Sequence, residues 1–294
     1  MATIKFKPLV QNLFQMGESP VYDERRDALW FCDIIGQALY SVSLTSGDMK
    51  TWEFPSEVCS LGLASSGRLV IALRNDVVIF DPETGARQTI ASIEAGRTAT
   101  RLNDGKVGPD GAFWVGTMDD RAEKEPIAAL YRVDPNGTVE RKIDGLTISN
   151  GLAFSPDGST MFHSDSRGPW IDRWQLDAKT GAIADRNRIA VLDDASGRPD
   201  GGATDAEGCY WSAGVSAARL NRFSYEGKLV ESFPVPVGSP SMPCFGGADL
   251  GTLFVTSLRH NRPKKSIEDF PLSGSVVAGK SPVAGAPVSR FRDI

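Results

Sequence analysis

TRLNDGKVGPDGAFWVGTMDD, residues 100–120, decides the fold. Two strand-like runs flank the turn Gly-Pro-Asp-Gly at 108–111, and the second, AFWVGTM, is apolar and aromatic. The same grammar returns as ISNGLAFSPDGSTMFHSD (148–165) and RPDGGATDAEGCYWSAG (198–214), and in shorter form as ASSGRLVIAL (64–73). A second series of Asx/Gly turns, TSGD (45–48), PETG (82–85), DPNG (134–137), DAKTG (177–181) and SYEG (224–227), follows strand-like runs such as ALYSVSL and IDRWQLD. Period-2 alternation, β-branched and aromatic enrichment and short turns predict antiparallel hairpins.

Aligned on these turns, six related stretches begin near Glu18, Leu61, Leu102, Ser149, Pro199 and Ser241. A period of roughly 40–50 residues with four strands per unit is the pattern of propeller blades. The chain of 294 residues is thereby filled, so the fold class is all-β: a six-bladed β-propeller, one domain over 1–294. Gly and Pro, 30 and 18 in number, cut nearly every window that could hold a helix. The opening TIKFKPLV is expected to close the ring with C-terminal strands, which removes sheet edges, and the tail GSVVAGKSPVAGAPVSRFRDI reads as one last strand and a coil. A closed ring predicts a monomer.

Net charge is −5 with both signs interspersed, and no Lys/Arg run marks nucleic acid or an acidic membrane as partner. The longest basic cluster, Arg262 to Lys265, is broken by Pro263 and reads as a solvated loop. No apolar run has membrane-span length, and the N-terminus lacks a signal-peptide core. Cys32, Cys59, Cys209 and Cys244 lack C-x-x-C spacing, so neither a zinc knuckle nor a disulfide framework is indicated, and reduced thiols in the cytoplasm are the simplest reading.

In a propeller the innermost strand of each blade borders the central axis. These strands start as MGESP (16–20), CSLGLA (59–64), TRLNDG (100–105), ISNGLAF (148–154), RPDGGATD (198–205) and PCFGGAD (243–249). Glu18, Asn150 and Asp200 fall at similar register and supply a hard-oxygen set suited to Ca²⁺, Mg²⁺ or Mn²⁺. Singly, Asn150-Gly151 and Asp200-Gly201 are ordinary turn dipeptides and Glu18 a loop acid; their recurrence at one phase of the repeat favours a site. The third start adds Arg101, Asn103 and Asp104. Arg101 can pair bidentately with carbonyl or hydroxyl oxygens or make a surface ion pair, and Asn103 can ligate or hydrogen-bond a substrate. Asp119 and Asp120, where a strand emerges, could bind substrate hydroxyls or decorate a loop. With two histidines, His163 and His260, a histidine-rich metal site is excluded, and no G-x-S-x-G elbow supports a triad. His163 reads as a core residue, and Trp30, Trp114, Trp170, Trp174 and Trp211 as packing between blades.

GESPVYDERRDALWFCDI, RLNDGKVGPDGAFWVGTM, ISNGLAFSPDGSTMFHSD, PDGGATDAEGCYWSAG and PCFGGADLGTLFVTS, in this order between Gly17 and His260, resemble the gluconolactonase/regucalcin (senescence marker protein) family. The resemblance implies a six-bladed propeller that hydrolyses a sugar lactone (glucono-, xylono-, arabinono- or galactonolactone) with one divalent metal ion: Ca²⁺ first, with Zn²⁺, Mg²⁺, Mn²⁺ or Fe²⁺ as alternatives. It implies Glu18, Asn150 and Asp200 as metal ligands, Arg101 and Asn103 as substrate-binding residues, and Asp200 as general base. Animal regucalcins carry glutamates after the G-T-M strand, where Asp119, Asp120 and Arg121 stand here. Two rivals remain at this stage: a calcium-dependent phosphotriesterase-like propeller, and a non-catalytic calcium-binding scaffold. The Gly-His and Trp-Asp pairs of WD-repeat scaffolds are missing.

Overall fold

Four-stranded antiparallel sheets, six of them, make up nearly the whole of the computed structural model, which describes residues 3–294. The first two positions of the predicted domain and leader-free N-terminus lie outside the described residues. The segment β1 (Lys7–Pro8) precedes blade 1, which comprises β2 (Gly17–Asp23), β3 (Ala28–Asp33), β4 (Ala38–Ser43) and β5 (Met49–Glu53). Blade 2 is β6 (Ser60–Leu63), β7 (Leu69–Ala72), β8 (Asp76–Phe80) and β9 (Arg87–Ser92). Blade 3 is β10 (Thr100–Val107), β11 (Phe113–Asp119), β12 (Ala128–Val133) and β13 (Val139–Leu146). Blade 4 is β14 (Ser149–Phe154), β15 (Thr160–Asp165), β16 (Trp170–Leu176) and β17 (Ile183–Val191). Blade 5 is β18 (Pro199–Thr204), β19 (Tyr210–Gly214), β20 (Arg219–Phe223) and β21 (Leu229–Pro234). Blade 6 combines β22 (Pro240–Gly246), β23 (Thr252–Ser257) and β24 (Val277–Lys280) with β1 as its outermost strand.

The expected closure is therefore present: Lys7 pairs with Ala278 and Pro8 with Val277. The helix α1 (Lys264–Asp269) is a short insertion after β23. Inner strands β2, β6, β10, β14, β18 and β22 touch in sequence, and β22 returns to β2. Each is wholly or almost wholly buried, whereas outermost strands such as β5 and β17 are largely exposed.

Blades adhere through large side chains. Trp211 stacks on Phe233 of its own blade at 5.0 Å and meets Phe245 of blade 6 edge-on at 5.5 Å. Phe162 of blade 4 stacks on Tyr210 of blade 5 at 4.9 Å. Burying a ring of about 200 Å² is worth roughly 5 kcal/mol. Trp30, Trp114 and Trp211 are buried as expected, but Trp170 and Trp174 are only half-buried on β16, where the Arg186 guanidinium lies 5.3 and 5.6 Å from their rings. They sit on the third strand, farther from the axis, and pack on the apolar cluster shared by blades 3 and 4 while cations lie over their remaining surface.

The tail does more than coil. Ala286 N donates to Thr204 O, Phe291 N to Leu63 O and Arg292 N to Gly111 O, with the Phe291 ring fully buried. It thus runs from blade 5 to blades 2 and 3 across the end of the axis where the inner strands finish. All four cysteines are free thiols, and no helix among the described residues is long and apolar enough to cross a membrane.

Candidate active site

Register breaks place the site. Pairing with the second strand shifts between Glu18 and Val21 in β2, Leu102 and Gly105 in β10, Asn150 and Ala153 in β14, and Pro199 and Gly202 in β18. Inner strand β6 pairs without a shift and brings no charged or amide side chain. A bulge kinks a strand and re-aims its side chains, so residues that simple alternation would hide between blades turn to the axis. Ser19, next to Glu18, holds φ 51°, a left-handed conformation uncommon for a residue with a side chain. Its Oγ accepts the Leu61 amide at 2.9 Å, tying blade 1 to blade 2 and holding that conformation.

Gly151, beside Asn150, has φ 67°, and a Cβ there would lie 2.4 Å from both Ser164 Oγ and Tyr210 Oη. Gly151→Ala combines left-handed strain with a collision, a cost of about 3 kcal/mol. It is expected to lower Tm by at least about 5 °C. Gly47→Ala, left-handed at φ 78° in open space, is the control and loses about 1 kcal/mol. Equal losses in two melting curves would refute the steric account.

A polar relay fixes the amides and Arg101. Asp120 Oδ2 takes Arg74 at 2.8 Å, and its Oδ1 lies 3.4 Å from Arg101 Nε. Arg101 Nη1 donates to Leu102 O at 2.8 Å and to Asn103 Oδ1 at 3.0 Å. Asn103 Nδ2 donates to Ser149 O at 2.9 Å and Asn150 Oδ1 at 3.2 Å. Asn150 Nδ2 donates to Ser166 Oγ at 2.7 Å, and Ser166 Oγ donates to Pro199 O, the residue before Asp200. Each amide is pinned by its nitrogen, so the oxygen of Asn150 keeps acceptor capacity toward the axis.

The carboxylates follow the opposite logic, being buried with few donors. Among the described residues, Glu18 Oε2 accepts only the Ser19 amide at 2.8 Å. Burial pushes its carboxyl well above the usual range, and the charges of Asp200 and Asp104 push it further. Asp200 meets no side-chain donor among the described residues; burial first, then the charge of Asp104, raises it to about 8. Asp104 Oδ2 accepts the Leu152 amide at 3.0 Å, while its Oδ1 is buried without a partner. Lys106, whose Nζ donates to Gly202 O at 2.7 Å, is a buried cation whose charge offsets that of Asp104.

Asp104 raises Asp200 and both raise Glu18, and buried like charges of this kind are short of a cation. Among the described residues no three His, Cys, Asp or Glu side chains gather closely enough to hold an ion by themselves, so the Asn150 oxygen is needed to complete a donor set with Glu18 and Asp200. Two carboxylates, an oriented amide oxygen and an orphaned buried oxygen nearby fit a hard divalent ion.

Asp119 and Asp120 part company. Asp119 is fully buried and its oxygens are committed: Arg121 Nε donates to Oδ1 at 2.9 Å, and Arg121 Nη2 and the Glu125 amide to Oδ2 at 2.7 Å each. These contacts hold its carboxyl far below the usual range and close its own loop. The suggested substrate contact of Asp119 is therefore replaced by loop closure. Asp120 touches the site only through Arg101. His163, lowered to about 4 by burial, shares a hydrogen bond with Ser149 Oγ at 2.8 Å and is a neutral core residue, as expected. The basic cluster departs from expectation too: Arg262 is half-buried and lies near enough to Asp200 for its charge to act on that carboxyl. Sequence reasoning left Asp104 and Lys106 without a role; only their spacing in N-D-G-K, one strand step apart, hinted at a shared direction.

A family model described as an SMP-30/Gluconolactonase/LRE-like region matches residues 16–259. The 6-deoxy-6-sulfogluconolactonase of Pseudomonas putida is 35% identical over 97% of this chain and 98% of that protein. The L-arabinolactonase of Azospirillum brasilense is 31% identical over 94% of this chain and 92% of its own length. A crystal structure of the calcium-binding protein regucalcin from Agrobacterium tumefaciens superposes with a TM-score of 0.93 at 28% identity, covering 99% of this chain and all of that one.

Proposed function

The chain belongs to the SMP-30/gluconolactonase/LRE-like family, and from that premise we propose that it hydrolyses a sugar lactone to the aldonic acid at the axial Glu18–Asn150–Asp200 site, with one divalent cation as cofactor. One observation carries the reading: buried, donor-poor carboxylates converge with oriented amides where the inner strands start. The calcium-binding neighbour and the oxygen-only donor set put Ca²⁺ first among candidate ions.

Glu18, Asp200 and the Asn150 oxygen would hold the ion. Bound there, it would polarise the lactone carbonyl and favour attack by water. The protein's own groups do the rest. Asp200, deprotonated in the presence of a counter-charge, accepts a proton from the attacking water. Arg101 keeps donors beyond the Nη1 held by the relay, and these bind ring and hydroxyl oxygens of the sugar. Asn103, held at both ends, steadies that arginine and the Asn150 amide, so the lactone carbonyl meets its nucleophile in a fixed orientation. The acyl C–O bond of the ring then breaks, the ring oxygen takes up the proton held by Asp200 and leaves as a hydroxyl, and the open acid departs.

The test is hydrolysis of a panel of γ- and δ-aldonolactones, followed by pH indicator with spontaneous opening subtracted. Protein is stripped with chelator and reloaded with single divalent ions. Ion-dependent turnover of one or two lactones is expected. A folded protein that accelerates none of them with any ion overturns the proposal.

A further inference from the structure

The mouth of the axis is electrostatically lopsided. On the side of blades 2 and 3 the arginines meet acids: Arg74 lies 2.8 Å from both Glu57 and Asp120, Arg101 shares Asp120 at 3.4 Å, and Arg121 lies 2.7 Å from Asp119. On the side of blades 5 and 6 the pattern changes. Arg198 immediately precedes β18, and Arg262 lies in the loop that leaves β23 at the same end of the barrel of inner strands.

Both guanidinium charges act on Asp200, and they repel one another. Arg198 pairs with Asp194 at 2.7 Å, but that carboxylate is 80% exposed, and an exposed pair holds its partner weakly. Arg262 has no ion-pair partner among the described residues, and its Nε is buried with no hydrogen-bond partner. A planar fork with an unused, desolvated donor is built for two oxygens of an anion. Asp200 is the one acid of the site on which Arg262 acts, and once its charge is neutralised by a cation the arginine is left without a counter-ion. That is an unusual arrangement in a chain of net charge −5.

The opposite wall, where Arg101 is already neutralised, suits uncharged oxygens. A ligand spanning the mouth would place neutral oxygens on blade 3 and an anion on blades 5 and 6.

We propose that Arg262, backed by Arg198, forms an anion subsite, and that the substrate is an aldonolactone carrying a second, acidic group on the carbon chain away from the lactone carbonyl. This rests on the lactonase reading of the axial site. Phosphate, sulfonate and carboxylate share the required chemistry.

The experiment is calorimetric titration of the calcium-loaded protein with three open-chain acids: gluconate, 6-phosphogluconate and glucarate. All present the same first carboxylate, so their affinity ratios isolate the far end. At low ionic strength at least one of the two doubly acidic ligands is expected to bind tenfold or more tightly than gluconate. The phosphate and carboxylate arms tell tetrahedral from planar anions. Arg262→Gln should reduce that ratio to below about threefold, and Arg262→Lys, which keeps charge but not the fork, should fall between. Equal binding of all three acids by the unaltered protein overturns the subsite without recourse to any variant, as does a ratio that survives Arg262→Gln. Turnover of the matching lactones is read in parallel. A preserved ratio with no turnover would refute the lactonase and leave the subsite standing, and turnover with a flat ratio would do the reverse.

Discussion

Asp200→Asn is expected to lower lactone turnover by about a thousandfold at saturating metal while leaving the metal-free protein at least as stable. The substitution keeps volume and burial but removes both a charged ligand and the proton acceptor, and general-base catalysis alone contributes roughly 10²- to 10⁴-fold. The stability half follows from the proton in the site. Asp200 is raised to about 8 by burial and by Asp104, so at neutral pH the folded chain holds a proton there that the unfolded chain has released, at a cost in stability. A neutral amide escapes that cost, so Tm in chelator should hold or rise at neutral pH. Steady-state kinetics and melting curves on one preparation check both halves. A D200N protein retaining more than a tenth of the turnover would remove Asp200 from the mechanism. A fall in chelator Tm would show that the carboxylate is held by contacts that the geometry does not contain.

The fold was legible because each blade repeats the same turn chemistry, and the observed inner strands begin at Gly17, Ser60, Thr100, Ser149, Pro199 and Pro240, within two residues of the starts read from the turns. The convergence of Glu18, Asn150 and Asp200 was legible for the same reason: polar residues at one phase of a repeat come together when the repeat closes into a ring. Their exact aim depends on bulges, and these leave only a faint signature in G-E-S-P, N-G and P-D-G-G. Asp119 misled because it is the last residue of β11 and its carboxylate closes the loop that follows, while Asp120, just past the strand, turns to Arg74 and Arg101; Arg121, two positions on, was the local sign of its pairing. Arg262 was illegible in principle. Its sequence is that of a solvated loop, and its half-burial is created by long-range docking of the segment after β23 onto blades 5 and 6.

Stability of the chelator-treated protein is expected to fall between pH 6.5 and 8, and added calcium to abolish the fall. For an acid whose folded pKa exceeds its unfolded value, the native state retains a proton that the unfolded chain has released, so stability declines as pH rises through the interval. Asp200, moved from 3.8 to about 8, and Glu18, moved the same way, have this sign. The window matters because other groups act elsewhere. His163, lowered from 6.5 to about 4, contributes the opposite slope, with stability rising between those values, and is silent above 6.5. Asp119, held below the usual range, contributes stability that is lost only in acid below its unfolded value of 3.8. Between pH 6.5 and 8 the axial carboxylates therefore dominate. One proton retained over that span costs about 2 kcal/mol, a Tm fall of about 4 °C or more. A divalent ion requires the deprotonated ligands, so its stabilising effect should grow with pH over the same span. Differential scanning fluorimetry in chelator and in calcium gives both curves, and Asp200→Asn should flatten the chelator curve. A chelator curve already flat, or rising, would mean that these carboxylates are compensated without a metal and that the axial site is not a cation site at all.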